Sequence, residues 1–231
     1  MNTIIWLVAG LVMLAGPALA ATPKDTVVMA KQIDDIISLD PAEAFEFTGA
    51  EVLPVGNHLF GGYLDVSNQT VGLMAQLRLS FYPGIDFGFQ GGPSRVNVDG
   101  GSKGTVRLAT DVKFGLRGVS ASSPVDVAIG AGLGVETGDN LSLLSLGPSL
   151  TASRTFGSGQ IGGVTPYASA TLLFTNIDNH GQTNTDMSLP LRFGAEIVAG
   201  PAARIVTELQ LRVGDAYRDH SVFLVGVNSP F

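Results

Sequence analysis

Residues 104–118, GTVRLATDVKFGLRG, alternate with a period of two. Val106, Leu108, Thr110, Val112, Phe114 and Leu116 fall on one face, and Thr105, Arg107, Ala109, Asp111, Lys113 and Arg117 on the other. That period belongs to a β-strand with two unlike faces. Similar alternations recur from about Val55 onward, bounded by glycine, proline or asparagine clusters. They predict strands over 57–66, 71–82, 84–92, 104–117, 124–136, 141–155, 163–175, 186–199, 202–213 and 220–229. Most span 9 to 14 residues, beyond the five or six usual in soluble sheets and close to what a tilted strand needs to cross a bilayer. The connections also sort into two kinds. YPG at 82–84 and GPA at 200–202 are tight, whereas 93–103 and 176–185 are long and polar, as in an up-and-down barrel with short turns at one end.

The next question is which face is the inside. The less apolar face carries Arg78, Asp86, Arg107, Asp111, Lys113, Asp126, Glu136, Arg192, Glu196, Arg204, Glu208 and Arg212, interleaved with Gly88, Gly130, Gly132 and Gly134. Mixed charges and small residues fit a narrow lumen, where bulky side chains on every strand would not all find room. A soluble ligand-carrying barrel would instead place its large apolar residues inside and leave these glycines on the surface without a packing reason. In the AIGAGLGVE strand, Val127, Ile129, Leu133 and Val135 all take one face and the other is nearly bare. The fold class expected is therefore all-β: an antiparallel up-and-down transmembrane β-barrel of eight to ten strands over residues 55–231.

A barrel of this size is generally filled by its own side chains. The expected site is a lumenal charge network of Arg78, Arg107, Asp111, Lys113, Arg192, Glu196, Arg204, Glu208 and Arg212. It offers either a polar path for ions or a salt-bridged plug, in which Arg107, Asp111 and Lys113 of one strand meet Arg204, Glu208 and Arg212 of another. The plug is the expectation. Aromatic residues at strand ends (Phe60, Tyr63, Phe81, Tyr82, Phe156, Tyr167, Phe174 and Tyr217) are expected to form interfacial girdles.

Composition narrows the class further. The 231 residues include 30 glycines and no cysteine, and only 14% are charged, which excludes disulfide, thiolate and cysteine-ligated metal chemistry. A net charge of −7 argues against nucleic acid as a partner. MNTIIWLVAGLVMLAGPALA has an apolar run from Ile4 to about Gly16 and then an A-x-A site, so residues 1–20 read as a secretory signal cleaved near Ala20. Export past the inner membrane of a Gram-negative cell is expected, with the outer membrane as destination.

Residues 21–54 differ in style from the strands that follow. Within them, KDTVVMAKQIDDIISLDPAEAFEFTGAEV at 24–52 has a short β-like run, an SLDPA turn and a helix-compatible stretch starting near Pro41. This stretch resembles the N-terminal start of periplasmic peptide-binding proteins of ABC transporters. The resemblance implies, as an alternative, a truncated or fused peptide-binding component; the second lobe that makes the cleft in that family has no counterpart downstream, and no binding residue is carried over. At the other end, SVFLVGVNSPF places Phe223, Val225, Val227 and Phe231 on one face, with a terminal phenylalanine. This resembles the carboxy-terminal signature of bacterial outer-membrane barrels, with Ser229 and Pro230 departing from the pattern. It implies the barrel assembly machinery and outer-membrane lipid as partners.

The sequence holds no pattern for a catalytic site, a cofactor or a metal. His180 sits in a polar loop beside Asp178, His58 has no companion, and His220 and Ser221 are adjacent on a strand, so they point to opposite faces. No Gly-x-Ser-x-Gly, phosphate loop or zinc spacing occurs. The function expected is that of a non-enzymatic outer-membrane barrel with a structural, adhesive or passive-transport role.

Overall fold

The computed structural model describes residues 48–67, 70–98, 101–116, 125–138, 141–157, 162–179, 182–213 and 221–231. The signal segment 1–20, most of the 24–52 stretch, His180, His220 and Tyr217 lie outside these residues. Eleven strands are present among the described residues: β1 (His58–Val66), β2 (Thr70–Tyr82), β3 (Ile85–Val98), β4 (Gly101–Gly115), β5 (Asp126–Gly138), β6 (Leu141–Ser153), β7 (Val164–Thr171), β8 (Leu173–Asn179), β9 (Gln182–Gly200), β10 (Ala203–Val213) and β11 (Ser221–Pro230). Each pairs antiparallel with its neighbours, and β1 pairs with β11 as well as β2, so the sheet closes on itself. Closure leaves no strand edge unpaired.

β7 and β8 are two halves of one stave, so the ring has ten. Both lie between β6 and β9 in a continuous register, interrupted only at Leu172. The cause is two prolines. The registers put Pro148 of β6 opposite Leu172 and Pro190 of β9 opposite Thr171. Leu172 donates its N–H to the Pro148 carbonyl at 3.0 Å, but proline has no N–H to return.

The tight turns at Pro83–Gly84 and Pro201–Ala202 share one end of the barrel with the start of β1 and with Phe231. Gly84 takes a positive φ of 76° there, a conformation open to glycine. At this end His58 and Phe231 exchange backbone hydrogen bonds of 3.2 and 3.0 Å. The opposite, hairpin end differs from expectation. The polar stretches 93–103 and 176–185, expected as long loops, are mostly strand: β3 runs to Val98, β4 starts at Gly101, β8 runs to Asn179 and β9 starts at Gln182. Polar cross-strand pairs continue the ladders, with Arg95 Nη2 donating to Ser102 Oγ at 2.6 Å and Asn176 Nδ2 to Thr185 Oγ1 at 3.2 Å. Apolar alternation stops before the hairpins, whereas the backbone ladder does not.

The burial pattern is inverted relative to a soluble protein. Leu108 is 63% and Leu73 60% exposed, while Arg78, Lys113 and Glu136 are fully buried. Outward apolar residues occur on every stave, and the architecture is that of a transmembrane β-barrel. Phe60, Phe81, Tyr82 and Phe156 are exposed at the turn end, and Phe174 is exposed on β8, as a girdle requires. Tyr63 and Tyr167 correct that expectation, because both point inward and are buried. Each ring covers a glycine directly across the ladder, Tyr63 over Gly226 and Tyr167 over Gly194, where a side chain would collide with the ring. An aromatic ring over a bare backbone fills the space the glycine leaves.

Gly92 of β3 tests how tightly the staves meet. The position a Cβ would take there coincides with the main chain of Leu73, including its carbonyl oxygen, so the backbone itself must shift. Gly92→Ala is expected to destabilise the barrel by about 1–3 kcal/mol, read as a lower midpoint in a urea titration of the unboiled electrophoretic band; an unchanged midpoint contradicts the close approach.

Candidate functional site

The period of β4 places Arg107, Asp111 and Lys113 on its lumenal face, and the charges on neighbouring staves meet them in three tiers along the barrel axis. At the hairpin end, Arg107 Nη1 donates to Asp65 Oδ2 at 2.6 Å and Arg107 Nε to Glu136 Oε2 at 3.2 Å. Thr105 Oγ1 donates to Glu136 Oε1 at 2.5 Å. In the middle tier Arg78 Nη2 pairs with Asp111 Oδ2, and Gln90 Nε2 donates to Asp111 Oδ1 at 2.6 Å. At the turn end Lys113 Nζ lies 3.7 Å from Asp86 Oδ2.

Glycines supply the room for these long side chains. The cross-strand neighbours of Asp111 are Gly88 on β3 and Gly132 on β5, and that of Lys113 on β5 is Gly130. Gly72 lies against the Asp65 carboxylate, where a Cβ would overlap it. The bare face of AIGAGLGVE is therefore the floor over which the β4 charges extend.

The rest of the lumen is less ionic. Tyr63 Oη donates to Gln76 Oε1 at 2.7 Å and lies against the Asn228 side-chain amide. Tyr167 Oη donates to Glu208 Oε2 at 2.6 Å, and Gln210 Nε2 to Glu208 Oε1 at 2.8 Å. Arg192 Nη2 donates to Ser169 Oγ at 3.1 Å. Hydroxyls line β6 to β8, with Thr151 donating to Ser169 at 3.0 Å and Ser145 within 2.9 Å of Thr175. Arg204 meets Glu196 at 2.7 Å near the GPA turn, where the arginine side chain is 36% exposed.

Eight of the nine expected network residues thus face the lumen; the Arg212 side chain lies outside the described set. Their pairing differs from expectation. Arg107, Asp111 and Lys113 do not close onto Arg204, Glu208 and Arg212, since β4 and β10 stand five staves apart in the ring. They pair with Asp65, Glu136, Arg78 and Asp86, on staves no more than three steps away. A guanidinium reaches across a neighbouring glycine but not across a packed lumen. Asp65, Gln76, Gln90 and Asn228 were absent from the expected network, as were the two tyrosines. Asp65 was detectable in the sequence, as the one charge in HLFGGYLDV and in phase with Gly61 and Tyr63.

The central tiers are closely packed. Among the ten buried lumenal charges from Asp65 to Glu208, none is more than 7% exposed. Arg78, Arg107 and Lys113 are each paired with a carboxylate, and a migrating ion would have to part these pairs. No group of three or more His, Cys, Asp or Glu able to hold a metal occurs among the described residues. His58 is half-buried between the rings of Phe81 and Phe231, at centroid distances of 6.2 and 5.6 Å. Removing one member of a buried pair is costly because its partner stays buried and charged. Arg107→Ala, which leaves Asp65 and Glu136 without their arginine, is expected to lower stability by about 3–5 kcal/mol. Arg204→Ala at the mouth, where the arginine side chain is 36% exposed, should cost less than Arg107→Ala. Urea midpoints of both variants check this order, and conductance in planar bilayers is expected to stay unchanged.

No protein-family model matches this chain, and no curated protein matches its sequence. Among solved structures, an outer membrane channel from Pseudomonas putida F1 is 11% identical, with a TM-score of 0.46, over 79% of this chain and 98% of that one. The KdgM porin in complex with disordered oligogalacturonate is 12% identical, with a TM-score of 0.41, over 75% and 99%. The N-terminal β-barrel domain of Pseudomonas aeruginosa OprF is 13% identical, with a TM-score of 0.36, over 77% and 98%.

Proposed function

We propose that this chain is an outer-membrane β-barrel protein of a Gram-negative envelope, with a closed lumen and a structural or adhesive role. One observation carries the reading: around a ring of ten staves the apolar side chains face out and the charges face in. In water that arrangement leaves a large apolar belt unburied, whereas in a bilayer it satisfies both faces. Closure suits the same medium, because hydrocarbon offers no partner to an open strand edge.

The outer membrane is favoured by the signal-like residues 1–20, with cleavage near Ala20, and by the terminal strand ending at Phe231, which the barrel assembly machinery would engage. An adhesive role is favoured by the polar hairpins β3–β4 and β8–β9 at the end opposite the turns, where Arg95, Ser102, Asn176 and Thr185 are exposed. Passive transport through the resting barrel is disfavoured by the three charge tiers. The truncated peptide-binding alternative gains nothing from residues 48–52, the end of the stretch that suggested it, because they run through the barrel mouth.

Expression in a Gram-negative host, followed by membrane fractionation and electrophoresis with and without boiling, is the direct test. Recovery in the outer membrane with a heat-dependent mobility shift is expected, together with negligible single-channel conductance after reconstitution. Soluble recovery from the periplasm removes the proposal.

A further inference from the structure

Just before β1 the chain does not run along the outside of the barrel. Residues 48–53 pass through the turn-end mouth, with Thr48, Ala50 and Val52 buried. At one side Ala50 donates its N–H to Ser153 Oγ of β6 at 2.9 Å, and Gly49 lies against Ser153 and Thr165 of β7. At the other side Leu53 donates its N–H to Asp86 Oδ1 of β3 at 3.1 Å, and its carbonyl accepts from Ser80 Oγ of β2 at 3.0 Å. β2 and β7 are five steps apart in a ring of ten, so the segment crosses the mouth along a diameter. Ten staves spaced about 4.8 Å and tilted about 40° make a ring roughly 20 Å across. Five extended residues cover about 16 Å, and inward side chains bridge the remainder.

Lys113 is at the centre of this crossing. Its Nζ donates to Thr48 Oγ1 at 3.0 Å, to the Gly49 carbonyl at 2.8 Å and to the Glu51 carbonyl at 3.2 Å. Main-chain groups carry nearly all of the attachment, so the mouth reads the path of the segment more than its side chains. Val52 adds packing over Gly115, where a larger residue would collide with it.

We propose that residues 48–53 form a releasable stopper for the turn-end mouth, latched by Lys113 and Asp86, and that its release opens a hydroxyl-lined vestibule on the β6–β7 wall. The ionic tiers close the middle of the barrel independently of this segment, so release exposes the vestibule without creating a through-pore. Thr151 is buried, and on the β6 lumenal face it lies one inward position deeper than Ser153, about 7 Å along the tilted strand.

The 231 residues include no cysteine, which makes single reporters clean. Thr151→Cys in reconstituted protein is expected to react slowly with a charged, membrane-impermeant maleimide. Adding Lys113→Met should accelerate labelling at least tenfold. Ala50→Pro, which removes the N–H given to Ser153 and alters no stave, should do the same, and it carries the test if the lysine variant does not fold. The heat-dependent mobility shift, retained in each variant, separates loss of the stopper from loss of the barrel. Independently, Gly49→Cys with Ser153→Cys should oxidise to a disulfide, since a Cβ at Gly49 lies 3.2 Å from that of Ser153 and a shift of a few tenths of an ångström brings the pair into the disulfide range of about 3.5–4.5 Å. Fast labelling with the native segment, slow labelling in folded Ala50→Pro, or no disulfide in the double variant overturns the proposal.

Discussion

A strand in hydrocarbon must find a partner for every N–H and C=O within the protein, because the lipid offers none. The rest of this molecule depends on that constraint. It requires the β1–β11 pairing that closes the ring, and closure forces each alternating strand to commit one face to lipid and one to a lumen of fixed width. It also marks where the ladder is weakest. Two prolines flank stave seven at the same level, and the strand breaks at Leu172, between them.

Within that fixed width, volume and charge are solved together. Arg78, Arg107 and Lys113 sit buried in the lumen opposite Gly88, Gly92 and Gly130 on adjacent staves, which leave them space, whereas Arg192 lies between Ser169 and Gln210. In the middle and turn-end tiers one cation meets one carboxylate, whereas Arg107 alone faces both Asp65 and Glu136. Buried ion pairs of this kind add little net stability over an apolar filling, yet losing one member is expensive. The consequence is a lumen with a defined arrangement that resists partial disassembly. The two inward tyrosines follow the same logic, since each ring covers a glycine and its hydroxyl meets a polar partner.

The two ends of the barrel have different characters. At the hairpin end the ladders of β3–β4 and β8–β9 continue beyond the apolar belt on polar residues, and Arg107 ties three staves just inside. At the turn end the tier around Lys113 is completed by the chain's own residues 48–53. A cation that elsewhere would need a second carboxylate is here satisfied largely by carbonyl oxygens.

The period of two along β1 to β11 determined the strands, the direction of nearly every side chain and the inverted barrel, because a strand's two faces are written in alternate positions. Glycine on one face of AIGAGLGVE likewise announced a lumen needing space. Strand ends at the hairpins were hidden, since polar residues pair in a ladder as readily as apolar ones but show no contrast between faces. The pairing of charges was decided only by the tertiary structure. Which carboxylate meets Arg107 or Lys113 depends on the order of staves around the ring and on what lies between them, and neither quantity is local in the chain. The same holds for residues 48–53: their partners are up to 103 positions away, and no periodicity in TGAEVL points to Ser153, Asp86 or Lys113.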